Sequence, residues 1–178
     1  MPDRELLRNM DKEDLIDLLE DAAKNWLAHD GLWFQAVERS YGLETAMRLD
    51  AEAWAKYTIV EARRIMQRHA IEPGGGLQAL AQALDLRMYA RINEQTITWI
   101  ADNTLRFEMN DCRVQAARKR KSLPDFPCKS VGLVEYAGFA ATLDERIQTR
   151  CLACPPDPHP DTFWCAWEFS LGEGRSSS

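Results

Sequence analysis

Thr96-Ile97-Thr98-Trp99-Ile100, followed by the Asp102-Asn103 pair and then by Leu105, Phe107 and Met109 alternating with polar residues, decides the fold class. The first run is β-branched and aromatic. Asp-Asn favours a turn, and side chains that alternate every second residue line one face of a strand. The stretch therefore predicts a β-hairpin.

Upstream of the hairpin the apolar period is that of a helix. Asp11 can cap a helix that carries Leu15, Leu18, Leu19, Ala22, Ala23 and Trp26 on one face, and Trp33, Phe34, Val37 and Tyr41 continue it. Gly31 marks a break or kink, and Gly42 a C-terminal stop. A second helix is expected from Leu43 to His69, ended by Pro73 and Gly74, Gly75 and Gly76; a short third spans Leu77–Leu86. That glycine run is no phosphate loop, because it follows a helix and lacks the GK[ST] context.

Downstream, a basic helix is predicted from Cys112 to Ser122. After the loop Leu123-Pro124-Asp125-Phe126-Pro127 comes a helix from Cys128 to Leu143, then strands over Arg146–Leu152 and Phe163–Leu171. The class is α+β: N-terminal helices packed on a C-terminal antiparallel sheet with two interleaved helices. A chain of 178 residues suits one domain, taken as 1–172, with 173–178 a disordered tail.

Charge and hydropathy narrow the partners. The net charge of -6 argues against nucleic acid. No run approaches the roughly 18 apolar residues that span a bilayer, and Met1–Asp14 holds no signal-peptide core. The expectation is a cytoplasmic protein whose partner is a small molecule; a homodimer stays open. The basic cluster Arg113, Arg118, Lys119, Arg120 and Lys121 reads as a solvated helix face, or as an anion site for a ligand carboxylate or phosphate.

Chemistry concentrates in the C-terminal third. Cys112, Cys128, Cys151, Cys154 and Cys165 fall there with His159, and five cysteines cannot all pair. Thiolate and imidazole are ligands for zinc, with iron or iron–sulfur as weaker alternatives. Cys151 and Cys154 form a CxxC pair. Cys112 and Cys128 stand at predicted helix N-termini, which lower thiol pKa values. Cys112, Cys128, Cys151 and Cys154 are the expected metal ligands, set against buried structural thiols or a reactive cysteine. His159, in a proline-rich loop, and Glu168 are the candidate catalytic acid–base groups. Strand alternation places Cys165, Trp167 and Phe169 on one face and Glu168 on the other. His29, Trp33 and Glu38 are expected to line a substrate pocket with Arg113, set against a simple helix face beside an aromatic core.

His29-Asp30-Gly31-Leu32-Trp33-Phe34 with Glu38, Tyr41 and Gly42, then Cys112-Arg113-Val114-Gln115, Phe126-Pro127-Cys128-Lys129 and Cys154-Pro155-Pro156-Asp157-Pro158-His159-Pro160, resembles a family of microbial cytosolic proteins known only as a domain of unknown function. The C-terminal half is similar to the L-2-amino-thiazoline-4-carboxylic acid hydrolases through Cys112, Leu123-Pro124, Cys128 and Cys165. That resemblance implies a hydrolase acting on a small cyclic amidine or amide. This chain departs from it at Cys165-Ala166-Trp167-Glu168-Phe169, where no acidic residue follows the cysteine directly.

Two functions follow. In the first, zinc held by these thiols activates water, lowering its pKa to about 7, against a small polar substrate. In the second, a non-catalytic module binds a small molecule or senses redox state, and its cysteines are structural.

Overall fold

The computed structural model describes residues 4–172; the tail expected over 173–178 lies outside the described residues. A short helix α1, Glu5–Asn9, leads into α2, Lys12–Tyr41, capped by Asp11, whose carboxylate accepts from the Asp14 N–H at 2.9 Å. Gly42, at φ +85°, ends α2 in a conformation that glycine adopts without strain. Then come α3, Leu43–His69, and α4, Gly76–Asp85. The Gly76 N–H donates to Asp144 at 3.0 Å and its φ is +64°, so the glycine run ties α4 to the end of a later helix.

A 3-10 turn, Met88–Arg91, precedes the hairpin of β1, Glu94–Ala101, and β2, Thr104–Asp111. Next are α5, Arg113–Arg120, and α6, Lys129–Leu143. The strands β3, Ile147–Ala153, and β4, Cys165–Leu171, complete an antiparallel sheet in the order β1-β2-β4-β3.

Register sets the core. Leu105 pairs with Phe169, Phe107 with Trp167 and Met109 with Cys165. All six are buried on the face that meets Tyr136, Phe139, Ala140 and Leu143 of α6. Gly132 lets α6 approach: a Cβ there would lie 2.7 Å from the Trp167 ring. Among the described residues no helix is long and apolar enough to cross a membrane.

Two expectations on α2 are corrected. The helix does not break at Gly31; a single interior glycine costs about 1 kcal/mol relative to alanine, which a 30-residue helix tolerates. The face of Leu15, Leu18 and Leu19 is not buried either. These side chains remain 38%, 45% and 54% exposed, and Ala23 is the one fully buried residue of α2. Periodicity reveals an apolar face but not whether a neighbour reaches it.

Candidate ligand cavity and thiol cluster

Between α2 and α3 on one side and β2, β4, α5 and α6 on the other lies a cavity of about 450 Å³. That volume suits a small organic ligand. Six aromatic rings stand in its walls. Trp54 stacks on Tyr89 at 5.6 Å, Tyr136 on Trp167 at 4.7 Å, and Phe34 meets Phe126 edge-on at 4.9 Å.

Three carboxyl groups also line it: Asp30 from α2, Asp50 from α3 and Glu135 from α6. Burial raises the pKa of all three. Asp50 is pushed up to about 7 by burial and by the neighbouring Asp30 and Glu135, against a weaker pull from a Trp54 hydrogen bond. Glu135 has a counter-charge, Arg87, at 2.7 Å, and Arg87 also donates to Glu61 at 2.9 Å. The Trp167 indole N–H is buried and has no hydrogen-bond partner among the described residues. A buried donor without an acceptor is costly.

The thiols gather at one end of the cavity, which Cys112, Cys128, Cys154 and Cys165 all line. The Sγ atoms of Cys128 and Cys154 are 3.4 Å apart, and Cys165 of β4 lies close enough to raise the Cys154 pKa further. Local structure enforces this meeting. The Lys129 N–H donates to Pro155 O at 3.0 Å and its ammonium pairs with Asp157 at 2.6 Å, fastening the loop after β3 to the start of α6. Gln115 pins the Leu-Pro loop through two 2.9 Å hydrogen bonds with the Phe126 backbone.

A hydrogen bond from Cys154 lowers the Cys128 pKa, while Cys154 itself is raised. Cys128 is therefore the first of the pair to ionise. The expectation for Cys112 is overturned: burial outweighs its helix N-terminus and pushes the thiol up to about 12. Among the described residues no three His, Cys, Asp or Glu side chains stand in an arrangement that could hold a metal ion as placed.

The other expected residues are distributed as follows. Arg113 lines the cavity. His29 is exposed, Trp33 is 69% exposed, and Glu38 binds Arg118 at 3.3 Å; the cavity wall on this stretch is formed by Asp30, Gly31 and Phe34. His159 accompanies Trp164 at 5.2 Å in its loop, outside the lining. Glu168 pairs with Arg150 across the sheet at 2.8 Å, on the face away from Trp167. Sequence reasoning passed over Asp30, Asp50, Glu135 and Trp167.

Fold and cavity define the class: an α+β domain that encloses a small-molecule-sized chamber between its helices and its sheet. Within that class the chain belongs to a family of unknown function, DUF6125, whose model matches residues 8–171. Its fold is similar to the phenol-responsive sensory domain of the transcription activator PoxR, solved with phenol. The TM-score is 0.54 at 15% identity, over 79% of this chain and 72% of that one. No curated protein matches, so the similarity to the thiazoline carboxylate hydrolases rests on the residues quoted above alone.

Proposed function

We propose that this protein is a small-molecule-binding module whose ligand occupies the cavity between the helices and the sheet. The observation that carries this reading is the buried, unpartnered Trp167 N–H in the wall of an aromatic chamber of about 450 Å³. The PoxR sensory domain, which has a similar fold, responds to a small aromatic compound, and that supports the same reading here. Hydrolysis has less support, because His159 and Glu168 stand outside the lining.

Phenol, benzyl alcohol, benzylamine and benzoate are suitable probes, read by calorimetry and tryptophan fluorescence. At least one should bind with one-to-one stoichiometry. Ala28→Trp with Ala117→Trp, which fills the chamber from α2 and α5, should weaken that binding at least tenfold (about 1.4 kcal/mol). If none of the four binds, or if the filled variant binds equally well, the reading fails.

For the thiols the proposal is a structural zinc that would draw Cys128, Cys154, Cys165 and Cys151 together by side-chain movement, since as placed they do not form a metal site. Tetrahedral zinc with bonds of about 2.3 Å sets its sulfurs about 3.8 Å apart, and Cys128 and Cys154 are already at 3.4 Å. Cys151 lies directly across from Trp167 on β3, one strand from Cys165. Such a four-thiolate ion would brace α6 against the sheet. Elemental mass spectrometry on untagged, anaerobically purified protein should find near-stoichiometric zinc, lost in Cys128→Ser/Cys154→Ser. Wild-type protein free of zinc would leave the pair a thiol–disulfide role, seen as two thiols disappearing on mild oxidation.

A further inference from the structure

We propose that the cavity selects a protonated amine, an organic cation whose ammonium lies against Asp30 and Asp50 while its apolar body lies on the aromatic walls and an oxygen accepts from Trp167. This rests on the small-molecule reading and names the ligand class within it.

The basic groups around the cavity are paired with an acid, bound to a neutral oxygen, or exposed. Arg118 is held by Glu38 and by Pro124 O, Arg113 by Ile92 O, Lys121 by Gln35, and Lys24 by Glu20. Arg120 is exposed. Of the acids, Glu135 has Arg87. Among the described residues Asp30 and Asp50 form no ion pair; the positive influence on Asp30 comes from the exposed His29. The three cations without an acidic partner among the described residues of the lining, Arg113, Arg120 and Lys121, are exposed to solvent, whereas Asp30 and Asp50 are half-buried, so the uncompensated charge on the inner wall is negative.

Two close carboxyls in a low-dielectric site repel each other, and a cation between them relieves both desolvation and repulsion. Aromatic faces around it add cation–π attraction. The Trp167 N–H is an independent pointer. Being buried and unpartnered, it calls for an acceptor that the protein does not supply.

Three probes of similar shape isolate the charge: tyramine (cation), tyrosol (neutral) and para-hydroxyphenylacetate (anion), each carrying a phenolic oxygen. Calorimetry at pH 8 should show tyramine binding at least tenfold tighter than tyrosol, with the anion weakest. Because ionised Asp50 is the partner, tyramine affinity should fall about tenfold between pH 8 and pH 6 as the carboxylate, with a pKa of about 7, takes up a proton; tyrosol affinity should not. The groups facing it there are Asp30 from α2, Trp54 from α3 and Glu135 from α6, with Tyr89 and Arg87 behind them. Asp50→Asn should bring tyramine to the level of tyrosol, and Trp167→Phe should weaken both. Tyrosol binding as tightly as tyramine overturns the amine proposal and leaves the small-molecule reading standing. If no probe binds, both fall.

Discussion

Replacing Arg87 with methionine should destabilise the protein by about 3–5 kcal/mol, the cost of stranding buried charges when one partner of an ion network is removed. The Arg87 side chain is 3% exposed and lies between Glu61 at 10% and Glu135 at 9%. Its Nε donates to Glu61 at 2.9 Å. Its contact with Glu135, at 2.7 Å, is an ion pair whose N–H is not aligned for a hydrogen bond. The guanidinium also lies over the Phe139 ring at 4.7 Å. Methionine preserves most of the volume but none of the charge, so the loss reports electrostatics more than packing. Urea denaturation followed by circular dichroism measures it. The triple variant Arg87→Met/Glu61→Gln/Glu135→Gln should recover much of the stability, since a neutral core of similar shape leaves no charge uncompensated. A single-variant loss under about 1 kcal/mol would show that water reaches the carboxylates and screens them.

This network joins α3, the segment before β1, and α6, three elements that also form cavity wall. Arg87, shared between Glu61 and Glu135, gives Glu135 an ion pair, whereas Asp50, on the neighbouring helix, has none among the described residues. The fold thus gives one of the chamber's acids a permanent partner and keeps the other for a ligand.

The period change at Thr96 was sufficient to read the hairpin, and the turn at Asp102-Asn103 pairs Ala101 with Thr104 as expected, but an irregularity between Trp99 and Ala101, which the alternation does not reveal, shifts the register and sets Ile97 opposite Phe107. Leu43 and His69 bound a helix in both readings, although the stop at its end is Ala70 in the left-handed conformation rather than the glycine run beyond it. Helix α1 escaped notice because five residues are too few to show a period.

The cavity was less legible. His29 was chosen and Asp30 was not, although one residue turns a helix by roughly 100° and only one of the two faces inward. A usable signal was present on α3 and α6. Asp50 falls midway between Ala46 and Trp54, and Glu135 midway between Val131 and Phe139, each four residues from a buried apolar neighbour on either side. An acid set into an apolar stripe is a buried acid. The thiols illustrate the converse: CxxC spacing drew attention to Cys151 and Cys154, whereas Cys165 joins Cys154 through tertiary folding that no local spacing encodes.

The second large effect concerns Asp50 and runs with pH. Its pKa in the folded protein is about 7, against an ordinary value of 3.8. Between those limits the folded state holds a proton that the unfolded chain has lost, so stability falls as pH rises through the interval. The penalty is absent below about pH 4 and complete above about pH 7. Asp30 and Glu135, also raised, act in the same direction. Asp50→Asn mimics the protonated acid and removes the Asp50 share. The variant should match wild type near pH 4 and exceed it at pH 8. At about 1.4 kcal/mol per pKa unit, the gain is on the order of a few kcal/mol. Paired thermal or urea unfolding at pH 4, 6 and 8 tests this. A difference between the two proteins that does not change with pH would mean that Asp50 ionises as freely as in water, and the chamber would then have no unmet negative charge to offer a cation. A gain that grows with pH would show that the folded protein gives up stability to keep a carboxylate in an aromatic chamber, a cost that a bound ammonium group would offset.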